Sequence, residues 1–167
     1  MRWRHAATVF GIAAVFSSAG CRGVQLGTTC ERPESGALLC VFAGHDAADG
    51  RLLTPDTERG GVLGSSCWEV ERGLTECGDF GVLPKLEQPL SVERGSTIAV
   101  LTDADRLWVA IGTVNTETGS RDFDRVAELL FTDGRATVDV ALGRYVVSVF
   151  GRWGRQDAEL FFPISVS

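Results

Sequence analysis

The sequence is poor in the residues that most often carry chemistry. Of sixteen basic residues only Lys85 is lysine, and the 167-residue chain has one tyrosine, Tyr145, and two histidines, His5 and His45. His5 lies in the amino-terminal leader discussed below, so a histidine-pair metal site is excluded for the remainder, and any Ser–His–acid triad has to use His45. There is no Gly-x-Ser-x-Gly elbow, no Cys-x-x-Cys, no glycine-rich phosphate loop and no dinucleotide fingerprint. No cofactor and no metal are therefore expected. The longest uncharged apolar stretch, Ala6 to Phe16, is eleven residues. As a helix it would be about 16 Å long, roughly half a bilayer core, which argues against a permanent membrane span.

What is present begins with that stretch. Met1-Arg2-Trp3-Arg4-His5 supplies two fixed positive charges and no acid, the apolar segment follows, and Ser17-Ser18-Ala19-Gly20 is a run of small residues. These are the three parts of an export signal over residues 1–20. Cleavage after Ala19 would suit ordinary secretion. Ser18-Ala19-Gly20-Cys21 resembles the lipobox of bacterial lipoproteins, although that family usually has leucine where Ser18 stands. The resemblance implies acylation of Cys21, which becomes the first mature residue, and attachment to the cell-envelope membrane through lipid. Arg22 departs from the acidic residue by which that family marks retention at an inner membrane.

Cysteine arithmetic bears on the choice. There are five cysteines: Cys21, Cys30, Cys40, Cys67 and Cys77. If Cys21 carries lipid, four remain and pair completely. Cys30 and Cys40 are ten apart, as are Cys67 and Cys77, and each interval has Glu at the fourth offset and Gly at the sixth (Glu34 and Gly36; Glu71 and Gly73). Glycine at mid-interval suits a turn, which favours two local bridges. The nested pairing, Cys30–Cys77 with Cys40–Cys67, fits two antiparallel segments equally well.

Without Arg2 and Arg4 the chain has 14 basic and 22 acidic residues, a formal charge of −8. That sign disfavours nucleic acid and anionic surfaces as partners. Residues 21–84 read as a disulfide-stapled, loop-rich part, with glycines, aspartates and Pro55 punctuating residues 44–66. Residues 85–167 read as strands, and 21–167 is short enough to be one compact domain. Leu107, Val109 and Ile111 alternate with Trp108, Ala110 and Gly112; Ala136, Val138, Val140 and Leu142 share a face; Ala158, Leu160, Phe162, Ile164 and Val166 alternate with Glu159, Phe161, Pro163 and Ser165. Pro163 points to an edge or a bulge. Asp133-Gly134 is a hairpin signal. Tyr145, Val147, Val149 and Trp153 share a face, with Gly151 leaving a gap. Leu142-x-x-Tyr145 entering a β-branched strand resembles the tyrosine corner of immunoglobulin-like sandwiches. The expected fold is an all-β, immunoglobulin-like antiparallel β-sandwich of about seven strands with a disulfide-stapled amino-terminal part.

Three acidic pairs, Asp46/Asp49, Asp103/Asp105 and Asp122/Asp124, have the alternate spacing of loop calcium ligands, but aspartate is also a common turn residue. Trp68 and Trp153 are candidates for ligand stacking. Trp108 is a further aromatic of that kind, but the favoured reading has Trp108 filling the core and Trp153 capping it. The sequence thus favours a lipid-anchored, extracytoplasmic lipoprotein with a non-catalytic binding or structural role and a protein or glycan partner. The alternatives are a carbohydrate-binding module, requiring two coplanar exposed tryptophans, and an extracytoplasmic hydrolase, requiring His45 beside nearby acids in a cleft.

Overall fold

The computed structural model describes residues 29–44, 47–79, 88–114 and 123–167. Cys21, His45, Asp46 and Asp122 lie outside the described residues, as does the leader. The described chain is all-β, with twelve strands and no helix.

The strands form two layers. Strands β1 (Ala37–Ala43), β2 (Ala48–Leu53), β3 (Glu58–Gly60), β7 (Thr97–Thr102) and β10 (Arg135–Thr137) make the smaller sheet, in the order β10-β7-β1-β2-β3. Strands β4 (Val62–Glu71), β5 (Leu74–Asp79), β8 (Arg106–Val114), β9 (Phe123–Glu128), β11 (Gly143–Trp153) and β12 (Gln156–Val166) make the larger one, in the order β5-β4-β12-β11-β8-β9. The short β6 (Leu90–Val92) joins it by pairing with β12. Within residues 90–167, β7 neighbours β10, and β9, β8, β11 and β12 follow one another. These are the B–E and C′–C–F–G neighbours of an immunoglobulin-like sandwich.

Period-two alternation decides which side chains meet between the layers. Leu160, Phe162, Ile164 and Val166 of β12, Val147 and Val149 of β11, and Val109 and Ile111 of β8 are buried from the larger sheet. Leu39 and Val41 of β1, Leu52 of β2 and Ile98 of β7 face them from the smaller one, and all twelve belong to one core. Residues 37–79 are thus built into the same sandwich as the carboxy-terminal half. Strands β1 to β3 extend one sheet and β4 and β5 the other, which accounts for twelve strands where about seven were expected.

β12 organises the larger sheet. Along one edge it pairs antiparallel with β11 over its whole length, from Gln156↔Trp153 to Val166↔Gly143. Its other edge is divided. Asp157 to Phe161 pair antiparallel with β4, and Ile164 to Val166 pair parallel with β6. Pro163, which has no N–H to donate, falls between the two partners, where that edge has no register partner. A second parallel pair, β1 with β7, stitches the amino-terminal strands to the smaller sheet.

Several expectations change in detail. Residues 44–66 contain β2, β3 and the start of β4. Gly50 and Gly61 hide their periodicity. A Cβ at Gly50 would lie 2.6 Å from Leu160 Cδ1 and 3.0 Å from Phe162 Cζ, and one at Gly61 2.7 Å from the same Cζ. The larger sheet therefore fills the space that β2 leaves empty. Asp133 and Gly134 both have positive φ (51° and 71°), as a type I′ turn requires, and the turn closes through the Thr132–Arg135 backbone pair. The flanking strands are shorter than expected: β9 ends at Glu128 and β10 at Thr137, so Leu142 is 66% exposed while Ala136, Val138 and Val140 stay buried. The Tyr145 ring folds over Gly143, and its hydroxyl makes no hydrogen bond among the described residues.

The disulfides are the two local ones, Cys30–Cys40 and Cys67–Cys77, so the nested pairing is not formed. Their equal spacing conceals different geometry. Cys67 and Cys77 sit directly opposite each other on β4 and β5, with Gly73 (φ 83°) in the hairpin turn. Cys30 precedes β1, and Gly36 (φ 71°) brings the chain against β7, where a Cβ would lie 2.5 Å from the Thr97 carbonyl oxygen.

Gly50→Ala is expected to lower stability in urea titrations by about 1–3 kcal/mol, because Leu160 and Phe162 have no room to retreat. Gly60→Ala, with nothing within 4 Å of the new Cβ, is expected to be neutral or to stabilise by up to about 1 kcal/mol through the unfolded chain. Equal losses at the two positions would refute the packing argument.

Candidate functional site: an aromatic groove on the larger sheet

Since Leu107, Val109 and Ile111 of β8 point inward, Trp108, Ala110 and Gly112 occupy the outer face. Register extends that face across three strands. Phe150 of β11 is opposite Trp108, and Ser148 is opposite Ala110. On β12, Glu159 is opposite Phe150 and Phe161 is opposite Ser148. On β9, Glu128 lies across from Ala110 and Arg125 from Gly112. A groove of about 370 Å³ runs over these residues, Gly112 and Phe161 excepted, within the size range of small-ligand sites.

Aromatic rings form its walls. Trp108 and Phe150 are 5.5 Å apart between centroids with an interplanar angle of 55°. Phe123 of β9 lies across Gly112, where a Cβ would come within 2.5 Å of its Cζ, and its centroid is 6.3 Å from that of Phe161. Only glycine at 112 leaves room for this ring. Trp108 remains 45% exposed, so the core placement considered for it is not adopted: its strand position faces outward, away from the facing sheet.

The polar content is small and ordered. The Ser148 hydroxyl, on a residue only 7% exposed, donates to Glu159 Oε1 at 2.7 Å. The Ser65 hydroxyl of β4 donates to Glu159 Oε2 at 3.4 Å. Two hydroxyls from different strands thus hold one carboxylate in a fixed orientation, and Ser148 is engaged in this role. Arg125 and Glu128 form an exposed i,i+3 ion pair at 3.9 Å on the rim. Such a pair adds little stability, but it places one charge of each sign beside the groove.

The tryptophans expected to stack a ligand are used otherwise. Trp68 is 3% exposed, so the stacking role considered for it is corrected: it is a core residue. Trp153 is half-buried and meets Trp68 edge-to-face, with centroids 5.5 Å apart and an interplanar angle of 66°. The two rings therefore form no coplanar platform. Trp153 also fills the gap left by Gly151, whose missing Cβ lies beneath its six-membered ring. Its indole N–H donates to Asp103 Oδ1 at 2.6 Å.

That bond gives Asp103 a structural task. The same oxygen accepts the Ala43 N–H at 3.0 Å, tying the end of β1 to the end of β11. Asp105 Oδ2 accepts the Gly154 N–H at 2.5 Å in the β11–β12 turn. Both acids of the Asp103/Asp105 pair are directed at backbone and indole donors. Asp49 on β2 and Asp124 on β9 are exposed, and their partners in the acidic pairs lie outside the described residues, as do His45 and Cys21.

No family model, curated protein or solved structure matches the chain. The groove thus stands on its own geometry. Sequence reasoning missed Ser148, Glu159, Phe150 and Phe123. The available signal was alternation, which set Trp108 out of phase with Val109 and Glu159 out of phase with Leu160 without showing which face is outward or that register brings these positions together.

Asp103→Ala is expected to lower stability by about 1–2 kcal/mol, since it orphans the Trp153 and Ala43 N–H groups near solvent. Millimolar calcium is expected to leave the wild-type urea midpoint unchanged. A calcium-dependent midpoint that is lost in Asp103→Ala would return this aspartate to the ligand class.

Proposed function

We propose that the chain is an exported lipoprotein, tethered to the cell-envelope membrane through acylated Cys21, whose ectodomain is a non-catalytic binding module. The observation that carries the binding role is the outer-face groove, in which a buried hydroxyl orients the Glu159 carboxylate between aromatic walls. Sites of this kind, largely apolar with few convergent polar groups, are the common form of ligand pocket.

The tether rests on chemistry outside the groove. Four of the five cysteines are paired. The two disulfides point to an oxidising, extracytoplasmic environment, and their pairing leaves Cys21 available for acylation at the end of the leader. Durable anchoring follows from more than one acyl chain, because each buried methylene contributes about 0.8 kcal/mol. Cys30 of the first disulfide lies nine positions after Cys21, so the tether would join the sandwich beside that bridge.

Mass spectrometry of the mature protein is expected to find an acylated Cys21 terminus and four oxidised cysteines. A Gly20 terminus or an intact leader would remove the anchoring claim. An NMR fragment screen is expected to move the indole resonance of Trp108 while leaving those of Trp68 and Trp153 in place. A screen that never moves Trp108 would remove the binding role.

A further inference from the structure

We infer that the groove receives the basic side chain, arginine above all, of a polypeptide partner. This deepens the binding-module reading and rests on it. The groove and its rim hold two carboxylates, Glu159 and Glu128, against one cation, Arg125. Trp108, Phe150 and Phe123 line the same groove, and an aromatic face attracts a cation through its ring quadrupole.

The details narrow the cation. One fixed carboxylate is too few protein ligands for a hard cation such as calcium, which takes six to eight oxygens, and the described residues hold no cluster suited to a metal. A sugar ring is held by several directional partners, whereas the floor offers one carboxylate. A guanidinium requires less: a carboxylate to fork onto and an aromatic face to lie along. The Ser148 and Ser65 bonds leave lone pairs on both Glu159 oxygens and prevent the carboxylate from turning away.

The surroundings favour a polypeptide over a free amine. Trp108 is 45% exposed and Val126, on the bordering strand β9, is 52% exposed. A small cation seated on Glu159 leaves both wet, whereas a polypeptide covers them while its side chain enters the groove. Buried aromatics around an arginine are a frequent composition of protein-interface hot spots. The net acidity of the chain, formally −6 overall, draws a basic partner toward the site.

The test uses the purified full chain in detergent, followed by NMR at the Trp108 indole, with three probes: Gly-Arg-Gly blocked at both ends, its blocked Gly-Gln-Gly counterpart, and choline. The arginine peptide is expected to bind at least about tenfold more tightly than the glutamine peptide and than choline. Glu159→Gln, which preserves shape and keeps one accepting oxygen while removing the charge, is expected to weaken arginine-peptide binding about tenfold. Arg125→Gln, an exposed change, is expected to strengthen it severalfold, an effect that contact area alone would not give. Equal binding of the two peptides, tighter binding of choline, or an Arg125→Gln variant with unchanged affinity would each overturn the inference. If the fragment screen moves Trp108 and the arginine peptide does not, this inference falls and the binding module stands. If neither moves it, both fall.

Discussion

The wedge of Phe162 against Gly50 and Gly61 is the constraint on which the sandwich depends. Its ring is fully buried, reaches from the larger sheet to the smaller, and occupies space that a methyl group on either glycine would claim. Interiors are packed to crystal-like density, so such a fit fixes the separation and registration of the two layers. It also sits on β12, the strand that β11, β4 and β6 all pair with. One side chain thereby couples the amino-terminal strands to the edge where the larger sheet changes partners. The outer-face groove inherits this rigidity, since Glu159 and Phe161 flank the inward-facing Leu160 on the same strand.

Covalent closure reinforces the amino-terminal half, where the core is thinner. Each disulfide spans ten residues, worth about 2.7 kcal/mol in the chain-entropy model. Neither bridges the two sheets. One fastens the entry segment to β1, and the other locks β4 to β5. The layers are held together mainly by apolar packing, with Asp103 joining β1 to the tip of β11 at one end. The acidic pair that resembled a calcium site is better understood as a knot of hydrogen bonds around the β11–β12 turn.

Much of the fold was legible where each strand carries its own apolar alternation. β8, β11 and β12 follow the faces assigned from sequence, and Asp133-Gly134 forms its turn. Legibility failed where the information lies in another strand. Gly50 stands at an inward position of β2, and the volume that belongs there is supplied by Leu160 and Phe162, more than a hundred residues away. The alternation therefore looks broken in the local sequence although the strand is intact. Leu142 failed for the opposite reason: the pattern continues after the backbone has left the sheet. The equal cysteine intervals gave the pairing and concealed two different geometries. The groove was the least legible part. It needs Ser148, Glu159 and Phe150 to become neighbours through register, and Phe123 to lie across Gly112, and neither relation leaves a trace within any one segment. Trp68 and Trp153 misled for a related reason, since exposure depends on the opposite layer and not on the residue itself.

The placement of β12 has a consequence for how this polypeptide comes into being. Beyond its hairpin with β5, β4 finds its second partner only in the eleven-residue β12, as β6 finds its one named partner there, and the other edge of β1 must wait for β7. Pairing over such sequence distances makes for slow assembly. Until β12 is in place, the β4–β5 hairpin therefore presents an unsatisfied edge. Truncation before residue 156 leaves that edge permanently open, with the next molecule's strands as the available substitute.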